Sequence, residues 1–294
     1  MPKSKRNRNG AIALLFLLPY LVLWGIFAFV PIVYGFFISL HKWNPIGTSK
    51  FIGFQNYGDL FRNPRFVGAL WNTLIYAAWA IPLILLVGLV FALLLRRGQL
   101  PGGAAVEAAL FFPYLLNVSV VGILWRFLLD PDVGIVPYYL RVVGVDPPNF
   151  LNSPMIVLPT IAVVSAWWLA GYRMIVFRAG LNAIPDDLYE AASLDGAGSV
   201  RQFFFITLPL MRPSILFAAI LTLVAGMCML GQVLVMTNGG PGTASEVMAL
   251  FMYRTAFESF NFGQAAAVGF ILFVIVFGVS LVLFRVLGLR SELS

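Results

Sequence analysis

The sequence predicts an all-α integral membrane protein with six transmembrane helices. The chain has 294 residues, of which 61% are hydrophobic and only 11% charged, with a mean hydropathy of +0.92. A water-soluble domain carries about a quarter charged residues. Several apolar runs exceed the roughly 20 residues that a helix needs to cross about 30 Å of hydrocarbon. The alternating segments of about ten residues that build a membrane β-barrel are absent. Helices satisfy their own backbone polar groups, which makes them the default spanning element in lipid.

The first apolar run covers about Ala11–Leu40 and holds Pro19 and Pro31. It follows MPKSKRNRNG, which looks like the basic start of a signal peptide, but the run is too long for a cleaved signal and lacks a small-x-small site. It reads as a retained first span. The second span runs from about Phe66 to Leu95, the third from Ala104 to Leu129 and the fourth from Met155 to Phe177. The fifth covers about Pro213–Met236 and the sixth Gln264–Leu287.

Basic residues orient the spans. With a cytoplasmic N-terminus, the inner segments hold Lys3, Lys5, Arg6, Arg8, Arg96, Arg97, Arg178, Arg201, Arg212, Arg285 and Arg290. The outer segments hold Lys42, Lys50, Arg62, Arg65, Arg141 and Arg254, so eleven against six sets both termini inside. Arg126 and Arg173 fall near the expected span ends, where long side chains snorkel to water. Of the outer segments, His41–Arg65 is aromatic, Asp130–Asn152 carries Gly134 and Pro147–Pro148, and Thr237–Phe262 opens with the turn-forming TNGGPG. In the last, Val247, Leu250, Phe251, Phe257 and Phe260 recur at helical spacing, which predicts a short interfacial helix.

The net charge of +7 belongs to this flanking pattern, since no basic run is interleaved with stacking aromatics as nucleic-acid binding requires. One cysteine, Cys228, and one histidine, His41, exclude an internal disulfide and a Cys- or His-rich metal site. No internal repeat and no second soluble domain are visible.

One polar segment stands out between the fourth and fifth spans: DDLYEAASLDGAGSVRQFFFITLP, Asp186–Pro209. Pro185 suits a first helical turn, and Asp186 and Asp187 suit the positive end of the helix dipole. Gly196 and Gly198 end that helix. Ser199, with Gln202 three residues on, has the spacing of a capping box for a second helix. Phe203, Phe204 and Ile206 give the second helix an apolar face, and Pro209 and Pro213 close it. The result is a helix–turn–helix bracket on the inner face. Ala191 and Ala192 let a partner approach closely, Glu190 and Asp195 supply charge at the rim, and the phenylalanines anchor the bracket to the spans.

The stretch EAASLDGAGSVRQFFFITLPLMRP resembles the EAA motif of bacterial ABC importer permeases. Glu190, Ala191, Ala192 and Gly196 match its first half, and Ile206, Leu208 and Pro209 follow at the family's spacing. FIGFQNYGDLFRNPRFVGALWNT resembles the segment before the second span of sugar-type permeases, and TNGGPGTASEVMALFMYRTAF the loop after their fifth. That last stretch is similar to the MalF/UgpA-like subunits. Gly231–Gln232 departs from the pattern, where a bulkier or carboxamide residue is expected first.

The resemblance implies an ABC type I importer transmembrane domain over residues 11–290, with a core of about 67–288, a coupling loop over 180–212 and a cytoplasmic tail over 1–10. It implies a coupling helix, about Asp186–Leu194, docked on a separate ATPase, with Glu190, Ala191, Ala192, Asp195, Gly196, Phe203 and Pro209 carrying the coupling. The expected partners are a MalG-like second permease, two ATPase subunits, an extracytoplasmic solute-binding protein and membrane lipid. ATP and Mg are expected on the ATPase partner. This chain has no G-x-x-x-x-G-K-[ST] phosphate loop, so it binds no cofactor or metal of its own in this reading and is not itself an enzyme.

Sugars are held by aromatic faces and side-chain hydrogen bonds in a concave, mostly apolar site. Polar span residues are the candidates: Asn72, Thr73, Asn117, Ser119, Ser165 and Gln232, with Trp125, Trp167, Trp168 and Tyr172 as stacking surfaces. Asn117 and Gln232 lead, because a carboxamide in a span needs a partner. Glu107, the one acid inside a span, either pairs with Arg173 or reaches water. An ion-coupled transporter would want an acid near the bilayer midplane, and a membrane enzyme would want converging acids or a metal site. Glycerol phosphate or another non-sugar solute is the alternative cargo.

Overall fold

A computed structural model describes residues 15–45, 47, 49–96 and 102–288, and the chain divides into two compact units. The tail over 1–10 and Lys3, Lys5, Arg6, Arg8, Arg97 and Arg290 of the orientation argument lie outside the described residues.

The first unit comprises residues up to Arg62 together with Met252–Ile271. Its long apolar helix α1, Leu15–Ser39, contains a π-helical stretch at Gly25–Phe29. A short ribbon follows, β1 (His41–Lys42) antiparallel to β2 (Lys50–Phe51), with His41 opposite Phe51. Helix α2, Gln55–Arg62, is tied back by Asn56, whose buried amide donates to the carbonyls of Ser39 at 2.7 Å and His41 at 3.0 Å.

The second unit, Asn63–Phe251 and Leu272 onward, holds the middle spans and the end of the last. Helix α3, Pro64–Arg96, accommodates Pro82 in its interior. Its buried residues Ala69, Thr73, Tyr76, Ala80, Ile84, Gly88 and Ala92 recur every three to four positions, which makes one face of it largely small and apolar. That face lies along α7, Val157–Asn182, the most buried of the long helices. Small residues let the two backbones approach, because in lipid association comes from close packing rather than from a hydrophobic gain. A Cβ on Gly88 would stand 2.7 Å from Arg173 Cβ.

Two expected spans are broken. The third is α4, Gly103–Phe111, a 3-10 turn at Phe112–Leu115, and then α5, Val118–Leu128, which leaves at 98°. Pro113 has no N–H to continue the helix. Leu116 and Asn117 are extended, and Asn117 Oδ1 restarts the helix by accepting from Ser119 N at 2.9 Å. The fifth span is also interrupted. After the polar bracket the chain bends by 67° into α10, Arg212–Met227, then unwinds at Cys228–Leu230 before α11, Gly231–Met236. The fourth span runs five residues beyond the expected Phe177.

Between α5 and α7 lies α6, Ile135–Val142. Helix α12, Met248–Phe257, exists as expected, but Val247, Leu250 and Phe251 are buried rather than turned to an interface, while Phe257 and Phe260 are exposed. The last span is α13, Phe262–Leu283, with a π-helical end at Phe284–Gly288.

Candidate functional sites: the bracket and the interrupted spans

The bracket consists of α8, Asp187–Leu194, and α9, Ser199–Leu210, the latter π-helical over Phe203–Thr207. Asp187 and Glu190 fill the first turn of α8, where their charge suits the helix dipole. Gly196 adopts φ +78°, the left-handed cap expected of it. Ala197 N then bonds Ala192 O at 2.8 Å and Gly196 N bonds Ser193 O at 3.0 Å, a Schellman closure.

The predicted capping box does not form, since α9 has Gly198 at its cap and no side-chain cap bond. Gln202 turns the other way. Its Nε2 donates to Ser193 Oγ at 2.9 Å and Ala197 O at 3.0 Å, stapling α9 to the end of α8. Tyr189 Oη and Thr207 Oγ1, 2.8 Å apart, form a second tie.

Tyr189 and Ile206 pack on a buried cluster of Ala92, Leu95, Met174, Phe177, Leu181, Ile184, Met211 and Ala218. The bracket is thereby joined to the ends of α3, α7 and α10 at once. Phe203 is half-buried and Pro209 sits in the last turn of α9. Phe204 and Phe205 are exposed, so the expected three-phenylalanine anchor is carried by Tyr189 and Ile206 instead. Glu190, Ala191, Asp195 and Gly196 are exposed, and Leu194 is 90% exposed, an apolar tip at the end of α8.

The second candidate region surrounds the two breaks. The starts of α5 and α11 lie against each other: a Cβ on Gly231 would stand 3.0 Å from Val118 Cγ1, and one on Gly122 2.7 Å from Val235 Cγ1. Gln232, on α11, is buried. Tyr76 Oη donates to Ser165 Oγ at 2.7 Å, and Ser165 Oγ lies 2.8 Å from both Gln232 Oε1 and Ile161 O. Among the described residues, Gln232 Nε2 and Trp125 Nε1 are buried without a hydrogen-bond partner. Such a group costs about 1–3 kcal/mol unless something joins it.

Trp168 Nε1 donates to Leu116 O at 3.1 Å, holding the break of the third span. Trp167 meets Trp125 edge-on at 5.5 Å, and Tyr172 stacks on Tyr114 at 4.9 Å. Asn117, Gln232, Trp167, Trp168 and Tyr172 thus fall around one pair of helix breaks. Asn72 and Thr73 do not. Asn72 donates to the carbonyls of Thr243 and Glu246, and Thr73 Oγ1 accepts from Met248 N, so both serve the loop after α11.

That loop is also held by Glu246, fully buried, which takes Arg65 Nε at 2.6 Å and Nη2 at 2.7 Å in a two-pronged pair. Near it Arg126, Asp130, Asn149, Asn152 and Thr237 line a polar cavity of about 390 Å³. Two expectations for charged residues change. Glu107 pairs with Arg178, not Arg173. Arg173 does not snorkel: it is buried, its Nε donating to Thr222 Oγ1 at 2.7 Å. With α7 running to Asn182, Arg173 lies about 14 Å from the helix end at 1.5 Å per residue.

Residues 51–287 match the family described as "Binding-protein-dependent transport system inner membrane component". The chain is 34% identical over 279 residues to the probable ABC transporter permease protein YurN of Bacillus subtilis (strain 168), covering 94% of this chain and 95% of that protein. It is 30% identical over 291 residues to the trehalose/maltose transport system permease protein MalF of Thermococcus litoralis, covering 98% and 97% respectively. A chain in the solved structure of a bacterial alginate ABC transporter in complex with alginate pentasaccharide-bound periplasmic protein has the same fold. It superposes with a TM-score of 0.78 at 23% identity, covering 96% of this chain and 95% of that one.

Proposed function

The chain belongs to the inner membrane components of binding-protein-dependent transport systems, and from that membership we propose that it forms half of the translocation pathway of an ATP-driven carbohydrate importer. It is a multi-pass protein of the cytoplasmic membrane. The second half is a MalG-like permease, two ATPase subunits bind ATP and Mg, and an extracytoplasmic solute-binding protein delivers the cargo. The trehalose/maltose permease and the alginate transporter, both belonging to carbohydrate transport by name, support that choice of cargo. This chain hydrolyses nothing itself.

In this reading both termini are cytoplasmic, residues 11–290 form one transmembrane domain with its core over about 67–288, and 180–212 is the coupling loop. Helix α8 docks on an ATPase. Ala191 and Ala192 allow close approach, Glu190 and Asp195 pair with basic groups at the rim, and Gly196 fixes the turn. Phe203 and Pro209 set how α9 meets the spans. ATP-driven closure of the ATPase pair moves the bracket and alternates access. Asn117, Gln232, Trp167, Trp168 and Tyr172 contact the sugar.

The observation that carries the proposal is the bracket itself, exposed along α8 yet joined through Tyr189 and Ile206 to the ends of three spans. Reconstitution in vesicles tests it. Sugar uptake is expected only with the second permease, the ATPases, the solute-binding protein and ATP all present. Uptake by this chain alone, driven by a proton or sodium gradient, would overturn it.

A further inference from the structure

The second unit buries a cation with no acid to answer it. Arg173 is 4% exposed and lies about 14 Å inside the end of α7, where a charge is expensive and marks an ion or substrate path. Its Nε is satisfied by Thr222 Oγ1, and its Cζ stands 5.1 Å over the Tyr172 ring. Its two terminal nitrogens have no hydrogen-bond partner among the described residues. Glu107, the acid within these spans, is engaged by Arg178 on the same helix. Two arginines and one carboxylate leave this part of α7 with one uncompensated positive charge. Burying an ion without a counter-charge costs several kcal/mol, more than one hydroxyl and one ring face return.

What lies over the cation is aromatic. Tyr172 and Tyr114 are half-buried and stacked on each other at 4.9 Å. Tyr114 sits in the one-turn segment Phe112–Leu115, directly before the break at Leu116–Asn117. The guanidinium thus lies against Tyr172, one of the candidate sugar residues, next to the break in the third span.

We propose that the cargo is an anionic carbohydrate, and that Arg173 supplies the counter-charge for its carboxylate, sulfonate or phosphate group. The guanidinium offers two free donors in a fork that matches such an oxyanion. Thr222 and Tyr172 hold the fork in place. This inference rests on the reading of the chain as a carbohydrate importer.

The complete complex, with its solute-binding protein in vesicles, is supplied with a panel of neutral, aminated, uronic, sulfonated and phosphorylated mono- and oligosaccharides. The expected result is ATP-dependent uptake confined to the anionic members. R173M should lower that uptake about tenfold or more, the weight of one hydrogen bond to a charged group. R173K keeps the charge without the fork and should retain part of it. Uptake of neutral sugars, or anionic uptake unchanged in R173M, overturns the assignment of Arg173 while leaving carbohydrate import standing. Uptake of no sugar in the panel overturns carbohydrate import itself. Should R173M fail to assemble, the wild-type preference across the panel decides.

Discussion

Gly171 sets how closely the central helix meets the broken third span. A Cβ there would run into the backbone carbonyl of Leu110 and stand 2.8 Å from Phe111 Cα. Backbone cannot swing aside as a side chain can, so Gly171→Ala should destabilise the protein by about 1–3 kcal/mol. Gly226, also buried, has its nearest neighbours at 3.8 and 4.0 Å, so Gly226→Ala should be neutral or gain up to about 1 kcal/mol of helix propensity. Unfolding midpoints of the two variants in detergent check the contrast; equal midpoints would remove it. Such tolerances depend on neighbours far away in sequence, and nothing in the residues around Gly171 or Gly226 separates them. Ser165 and Gln232 were more legible, because a polar side chain in a span needs a partner, and they meet each other at 2.8 Å. Arg173 was misread for a definite reason: the fourth span was ended at Phe177, which moved the arginine artificially close to water.

At the scale of elements, the loop after α11 is fastened to the start of α3 by Arg65 and Glu246, with Asn72 and Thr73 as further ties. Glu246 is fully buried and Arg65 half-exposed, so water screens one side of the pair. Removing the arginine alone takes a charge partner from a buried carboxylate and should cost about 2 kcal/mol, the low end for such pairs. R65M/E246L should recover most of that, because burying two apolar groups avoids the desolvation cost. A double-mutant cycle on thermal stability, with proteolysis of the 237–246 segment as local readout, gives the coupling. Additive effects would mean that the pair does not fasten the loop. Helix identities were readable here from length and hydropathy, and so were the cap at Gly196 and the existence of α12. The bends were not, since Asn117, Ser119 and Gln232 beside them read as substrate contacts rather than as interruptions of a span. The face buried by α12 was also missed, because its spacing suits lipid and protein equally.

Across the whole second unit, motion at one end must reach the other through few connections. The bracket meets the spans through Tyr189 and Ile206 on the cluster at the ends of α3, α7 and α10, and α7 carries that cluster onward to Arg173, Tyr172 and Ser165. The breaks at Leu116–Asn117 and Cys228–Leu230 flank the same polar region, so a push along α7 can be absorbed there by two short helices turning instead of by long ones deforming. Coupling then depends on the stiffness and grip of the bracket rather than on its mere presence. Gly196 sits at φ +78° and its N–H closes the turn, and proline satisfies neither requirement. Gly196→Pro should therefore loosen α8 from α9 without touching a span. Glu190→Lys keeps the bracket but reverses the charge offered to the proposed ATPase partner and opposes the helix dipole. Both variants should insert in the membrane and assemble normally by size-exclusion chromatography. Sugar transported per ATP hydrolysed should fall about tenfold or more, as expected when about 1.4 kcal/mol or more of coupling is lost. Wild-type uptake ratios in both variants would show that force reaches the spans by some other route.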